Sequence, residues 1–143
     1  MKKYYIGYGL TLNSLTMATN CPNCKLIRTD FLEDHKLAFK CDSSGYLTIE
    51  ESIENKIPVS IYSVLEENIK YLDRFIGYPS LYRKKIILIK NKQYFTYEIK
   101  PNFNYCLPDS CYFQQCLNNY YYFGFSSKVL HMAKEEARQF IKK

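Results

Sequence analysis

The side chains able to do chemistry are few and scattered. The chain of 143 residues holds six cysteines and two histidines, His35 and His131. Cys21-x-x-Cys24 has the spacing of half a zinc site, but a tetrahedral site needs a second such pair or two histidines, and neither follows. Cys106, Cys111 and Cys116 recur at intervals of five, which fits neither zinc nor one helix face. A thiol nucleophile needs a base within reach, and the residues around these cysteines supply none. They read as structural side chains, so neither metal nor cofactor is expected. His35 and His131 read as surface or core-edge residues. Asp73, in a helical stretch, and Glu98, near a strand end, are the carboxylates to weigh as a base.

The elements that must position such groups can be read from spacing. Ser63-x-x-Glu66 has the form of a capping box, which supplies partners for backbone donors at a helix start. Leu65, Ile69, Leu72 and Ile76 recur at four, three and four, one apolar stripe. Gly77 and Pro79 are stop signals. This predicts a helix over 64–76 with Ile76 on its buried face. A carboxylate at that position would point inward, where desolvation raises its pKa toward that of a useful base. Isoleucine there adds only apolar contact.

Elsewhere Tyr4–Gly9 reads as a first strand, 10–13 as a loop and 14–19 as a short helix. Extended segments are expected over 25–32 and 35–39 with a turn at Glu33-Asp34, then over 46–50 and 57–62 after an Asp42–Gly45 loop. A hairpin follows over 82–90 and 94–99, turned at Asn91-Lys92. Its Ile86-Ile87-Leu88-Ile89 run predicts a central strand covered on both faces. Helices over 110–122 and 127–142 close the chain, the last with a stripe of Val129, Met132, Ala133, Glu136, Ala137 and Phe140. The pattern is an α+β class domain spanning residues 1–143, a small mixed β-sheet or barrel with short helices.

Composition excludes several classes. A net charge of +6 is spread along the chain, and no nucleic-acid-binding motif accompanies it. No window reaches membrane-spanning length and no signal-peptide pattern opens the chain, so a cytoplasmic protein with free thiols is expected. Fifteen tyrosines against no tryptophan suit an interior that lines a polar pocket, since each ring brings apolar area and one hydroxyl.

The order of short motifs then carries a resemblance. Tyr8-Gly9-Leu10-Thr11-Leu12 is similar to a Tyr-Gly-Ser-Asn-Leu loop, and Met17–Cys24 to Met-x-x-Arg-Cys-Pro-x-Ala. Leu32–Phe39 is similar to Leu-x-Asp-Tyr-x-Leu-x-Phe and Ile57–Tyr62 to Val-Pro-Val-Ala-Ile-Tyr. Leu72-Asp73-Arg74-Phe75-Ile76-Gly77-Tyr78-Pro79 resembles Leu-Asp-x-x-Glu-Gly-Tyr-Pro. Leu81-Tyr82, Pro108-x-Ser110-x-Tyr112 and Tyr120-x-x-Phe123-Gly124-Phe125 complete the series. Together, over Tyr4 to about Ala133, they resemble the gamma-glutamylcyclotransferase-like proteins.

The resemblance implies a small mixed-sheet barrel with one central cavity and an intramolecular acyl transfer. In that reaction the substrate's α-amine attacks its γ-glutamyl carbonyl, closing 5-oxoproline and expelling an amine, with a glutamate moving the proton. Here Ile76 occupies the glutamate's position, so the resemblance implies no catalytic residue there. Tyr8, Gly9, Leu10, Thr11, Leu12, Tyr82 and Tyr112 are the implied substrate-binding residues, and Leu10-Thr11 replaces a Ser-Asn pair. The expected function is an inactive or repurposed member that keeps a pocket for a small ligand of γ-glutamyl-amine-like kind, with no nucleic acid or membrane partner. The alternatives are an active cyclotransferase with a relocated acid, Asp73 or Glu98, or a protein-interaction module using the tyrosine-rich segment 105–125.

Overall fold

The computed structural model describes residues 1–41 and 43–142; Asp42, expected in a loop with Ser43–Gly45, lies outside them. Six strands and four α-helices follow one another along the chain. They are β1 (Lys2–Gly7), α1 (Ser14–Asn20), β2 (Lys25–Cys41), β3 (Tyr46–Leu65), α2 (Ile69–Ile76), β4 (Tyr82–Ile89), β5 (Lys92–Ile99), β6 (Asn104–Tyr105), α3 (Ser110–Phe123) and α4 (Lys128–Lys142). The strands hydrogen-bond in the order β4-β5-β1-β3-β2-β6. β1 runs antiparallel to β3 and parallel to β5, so the sheet is mixed, as expected of an α+β fold. Among the described residues no helix is long and apolar enough to cross a membrane.

Four local expectations are corrected. The 25–32 and 35–39 segments form one strand, and so do 46–50 and 57–62. Asp34 and Glu54 take positive φ of 58° and 72° inside them, and the Asp34 carboxylate accepts from the Glu54 N–H at 3.1 Å. Glu33-Asp34 is thus an irregularity within a strand, its Asp34 side chain bonded across to the Glu54 N–H, rather than a turn. The Ser63–Glu66 capping box does not form: Ser63 lies in β3 opposite Tyr4, and a one-turn 3₁₀ helix (Glu66–Asn68) precedes α2. The hairpin turns at Lys90-Asn91, with φ of 50° and 66°, the backbone of a type I′ turn. β4 is an edge strand rather than a central one.

The chain divides into two compact units. The first comprises Met1–Phe31 and Pro58–Glu98, the second Leu32–Ile57 and Ile99–Lys143. The first is centred on aromatic rings from neighbouring strands: Tyr5 packs against Tyr62, Phe95 and Tyr97, and Tyr5, Tyr62 and Tyr97 are almost fully buried.

In the second unit Phe39 packs on Tyr112 and Phe113 of α3. Leu130, Ala133 and Ala137 are buried along α4, whereas Met132 and Phe140 of the expected stripe are exposed. Glu136 reaches Lys36 at 2.8 Å, which explains one carboxylate on that face. Gly45 approaches the chain so closely that a Cβ would sit 2.3 Å from Cys106 O.

Cys41 and Cys106 form a disulfide, which corrects the expectation of free thiols throughout. It sits beside the short β2–β6 ladder, where Cys41 pairs with Asn104. Closing a separation of 65 residues removes denatured-state entropy. Replacing both cysteines by serine is expected to lower unfolding stability by roughly 2–4 kcal/mol in denaturant titration under oxidising conditions.

Candidate functional site

Residues 8–13 follow β1 as a short loop, and the first unit holds that loop by its carbonyl groups. The Tyr62 hydroxyl donates to Thr11 O at 2.7 Å and to Leu12 O at 3.4 Å. The Ser60 hydroxyl donates to Leu12 O at 2.7 Å, and the Tyr5 and Thr11 hydroxyls pair at 2.8 Å. These partners exist because of strand register: Tyr5 faces Tyr62 and Gly7 faces Ser60 across β1 and β3. Gly7 has a packing reason to be glycine, since a Cβ there would lie 2.7 Å from both Thr11 O and Thr11 Oγ1.

The loop itself is a 3₁₀ turn over Leu10–Leu12, closed by Leu12 N–H to Gly9 O and Asn13 N–H to Leu10 O. Asn13 then caps α1, accepting from Leu15 N and Thr16 N. In such a turn the opening amides, here those of Leu10 and Thr11, find no acceptor within the turn. Thr11 and Leu12 are buried, while Gly9 and Leu10 are half-buried.

Tyr8 extends the arrangement. Its hydroxyl donates to Tyr97 O at 2.6 Å, and the Tyr97 hydroxyl donates to Asp73 Oδ1 at 2.5 Å. Thr96 Oγ1 donates to Ile6 O at 2.7 Å on the same strand pair. Asp73 also receives Lys84 Nζ at 3.1 Å. Of the expected binding residues, Thr11 and Leu12 are thus held by the Tyr5, Ser60 and Tyr62 hydroxyls, Tyr8 joins a separate chain through Tyr97 to Asp73, and Tyr82 is buried in the same unit. Tyr112 belongs to the second unit, where its hydroxyl accepts from Leu47 N–H at 3.0 Å and its ring packs edge-on against Tyr46. Sequence reasoning missed Tyr5, Ser60, Tyr62 and Tyr97. Their signal was present only as register, because residues of β1 and β3 meet the loop by cross-strand pairing.

Ile76 closes α2 and is half-buried, less covered than the apolar stripe predicts; Leu72 is the fully buried member. Gly77 caps the helix at φ 100°, its N–H returning to Asp73 O. Glu98 lies between Arg83 at 2.8 Å and Lys85 at 3.6 Å. His35 is buried, with Nδ1 at 2.8 Å from Glu33 O, and His131 is exposed against Phe113. The Cys21 thiol is pushed up to about 11 by burial, which keeps it a thiol at neutral pH. Among the described residues no cluster of potential ligands could hold a metal. A cleft of about 860 Å³ in the first unit lies between α2 and the β4–β5 hairpin, lined in part by Ile69, Lys84 and Phe95 but by no residue of the Tyr8–Leu12 loop.

Burial drives the Tyr5, Tyr62 and Tyr97 phenols well above the ordinary tyrosine value, with the Asp73 carboxylate adding to the effect at Tyr97. The folded state therefore holds these protons more tightly than the unfolded chain. Their stabilisation is fully present below pH of about 10 and is lost as pH rises above it. Thermal or denaturant unfolding between pH 8 and about 11 should show this fall, with a shallower slope in Tyr62→Phe. At neutral pH the same variant leaves Thr11 O without its donor and should cost about 1–3 kcal/mol.

Comparison with solved structures gives the fold its relatives. A structure described as a gamma-glutamyl cyclotransferase superposes with a TM-score of 0.78 at 18% identity, covering 99% of each chain. An uncharacterized protein from Homo sapiens matches with a TM-score of 0.77, 18% identity and 99% coverage of both chains. YkqA from Bacillus subtilis matches at 0.71 and 14% identity over 96% of this chain, which spans 54% of that one. No protein-family model and no curated protein matches the sequence. The chain has the gamma-glutamyl cyclotransferase-like fold.

Proposed function

We propose that this protein uses the Tyr8–Leu12 loop to hold a small ligand of the γ-glutamyl-amine kind and does not cyclise it at an enzyme's rate. One observation carries the reading: no proton acceptor stands at Ile76, and the two carboxylates that could replace one are already taken. Asp73 accepts at both oxygens, from Tyr97 and Lys84. Glu98 is bracketed by Arg83 and Lys85.

Forming 5-oxoproline requires a base. The attacking amine must lose a proton as the new C–N bond closes the ring, and the departing amine must gain one as the γ-amide breaks. A group that shuttles that proton is worth about 10²–10⁴ in rate. Isoleucine cannot do it, and both Glu98 oxygens already face cations. Binding asks less of the chain. The opening amides of Leu10 and Thr11 can receive a carboxylate or carbonyl oxygen, since main-chain donors in a turn form a concavity for negative charge. The Thr11 and Leu12 carbonyls are fixed from behind by Tyr62 and Ser60, so the donors are set before a ligand arrives and little ordering entropy remains to be lost. Leu10 in place of a polar side chain favours a less polar ligand.

The third possibility, a protein-interaction surface over 105–125, has less support. Phe113, Cys116, Leu117 and Tyr120 of that segment are buried, leaving Tyr121 and Tyr122 as its exposed rings.

A panel of γ-glutamyl-amines assayed for 5-oxoproline release tests the reading. The natural sequence should stay at background, and Ile76→Glu should rise by about 10²-fold or more if placement of the acid suffices. Turnover by the natural sequence, abolished by Asp73→Asn or Glu98→Gln, would instead establish a relocated base.

A further inference from the structure

β4 carries a sequence at odds with its place. Its Ile86-Ile87-Leu88-Ile89 run has the pattern of a strand covered on both faces, yet β4 ends the sheet, and no strand pairs with its outer edge among the described residues. Ile87 is buried, but Ile86 is 55% and Leu88 70% exposed. Open edges are ordinarily protected by a central charge, a proline or a bulge. Here the apolar run has none of these, and the charges stand only at its ends: Arg83, Lys84 and Lys85 before it, Lys90 and Lys92 after it.

Geometry sets how these groups are displayed. The two-residue turn at Lys90-Asn91 fixes β4 against β5, and alternation places Lys84, Ile86 and Leu88 on one face. Ile86 and Phe95 also line the 860 Å³ cleft beside α2, with Ile69 and Lys70. Apolar surface therefore continues from the open edge onto the adjoining cleft. Arg83 and Lys85 share Glu98, and Lys84 meets Asp73. Lys92 lies 3.7 Å over the Tyr4 ring. The hairpin thus presents a basic end at Arg83–Lys85, an apolar run, and a second basic end at its turn, Lys90 and Lys92, with more cations than local carboxylates.

We propose that the outer edge of β4 receives an extended segment of another protein with the complementary pattern, acidic at both ends and apolar between. It would add as a further strand, with main-chain hydrogen bonds supplying affinity and alternate side chains supplying selectivity. Charge also selects this occupant over a second copy of the chain. Full antiparallel overlap of two β4 runs brings Lys85 of each copy beside Lys90 of the other, where the other copy's turn begins, and like charges brought together in this way destabilise a strand pair. The inference is independent of the ligand assigned to the Tyr8–Leu12 loop.

Fluorescence anisotropy with a labelled peptide, Glu-Glu-Val-Ile-Val-Ile-Glu-Glu, tests it. Saturable binding is expected, weakened by added salt and lost when alternate peptide nitrogens are methylated. Leu88→Lys places a charge at the centre of the edge on an exposed side chain, so the fold should persist by circular dichroism. That variant should bind at least about tenfold more weakly, a change of ~1.4 kcal/mol. Absence of binding, equal binding of a lysine-ended peptide, or indifference to Leu88→Lys would overturn the proposal. So would self-association of the free protein that Leu88→Lys abolishes, because the edge would then belong to a second copy.

Discussion

The donation of Tyr62 and Ser60 hydroxyls to the carbonyls of Thr11 and Leu12 is the contact on which the candidate site depends. A buried carbonyl without a donor costs about 1–3 kcal/mol, more than the net worth of the bond that satisfies it. The loop after β1 consequently has little freedom: its carbonyls must face the β3 hydroxyls, and Gly7 leaves the space that allows Thr11 to approach. Tyr5 then serves twice, as a core ring against Tyr62 and Phe95 and as the partner of Thr11 Oγ1. Packing and polar satisfaction agree at one place, which is how a short irregular segment acquires a single geometry.

The same unit carries a second set of polar contacts. A polar chain runs from Tyr8 through the Tyr97 backbone and hydroxyl to Asp73 and Lys84. It supports the start of the loop and the middle of α2, but it ends in an ion pair rather than in a free acid. At the end of α2, Ile76 offers apolar surface. The proposed ligand-holding role rests on this pairing of fixed loop carbonyls with an apolar end to α2.

Much of this was legible in the sequence, and the failures have identifiable causes. The motif order from Tyr8-Gly9 to Gly77-Tyr78-Pro79 specified the fold, and the expected helices over 110–122 and 127–142 match α3 and α4 to within one residue at each end. Glu33-Asp34 misled the strand reading, because aspartate is commoner in turns than inside ladders. Ser63 matched a helix cap by spacing, but its pairing opposite Tyr4 in β3 overrode a local signal worth about 1 kcal/mol. The apolar run of β4 predicted a central strand from composition alone, and edge position is a property of topology that no four-residue window contains. The Cys41–Cys106 bridge was hidden for the same reason: a separation of 65 residues becomes a Cα distance of 5.6 Å only through the short β2–β6 ladder. The hydroxyl network likewise depends on cross-strand register, which fixes side-chain neighbours after the fold is known.

The loop's role as a ligand grip is open to direct observation by amide chemical shifts during titration with γ-glutamyl-amines. The account predicts saturable shifts of the Leu10 and Thr11 amides, with Gly9 and Leu12 following as the turn adjusts. Titration to saturating ligand with no movement at any of these four amides, in a protein that remains folded, would contradict it.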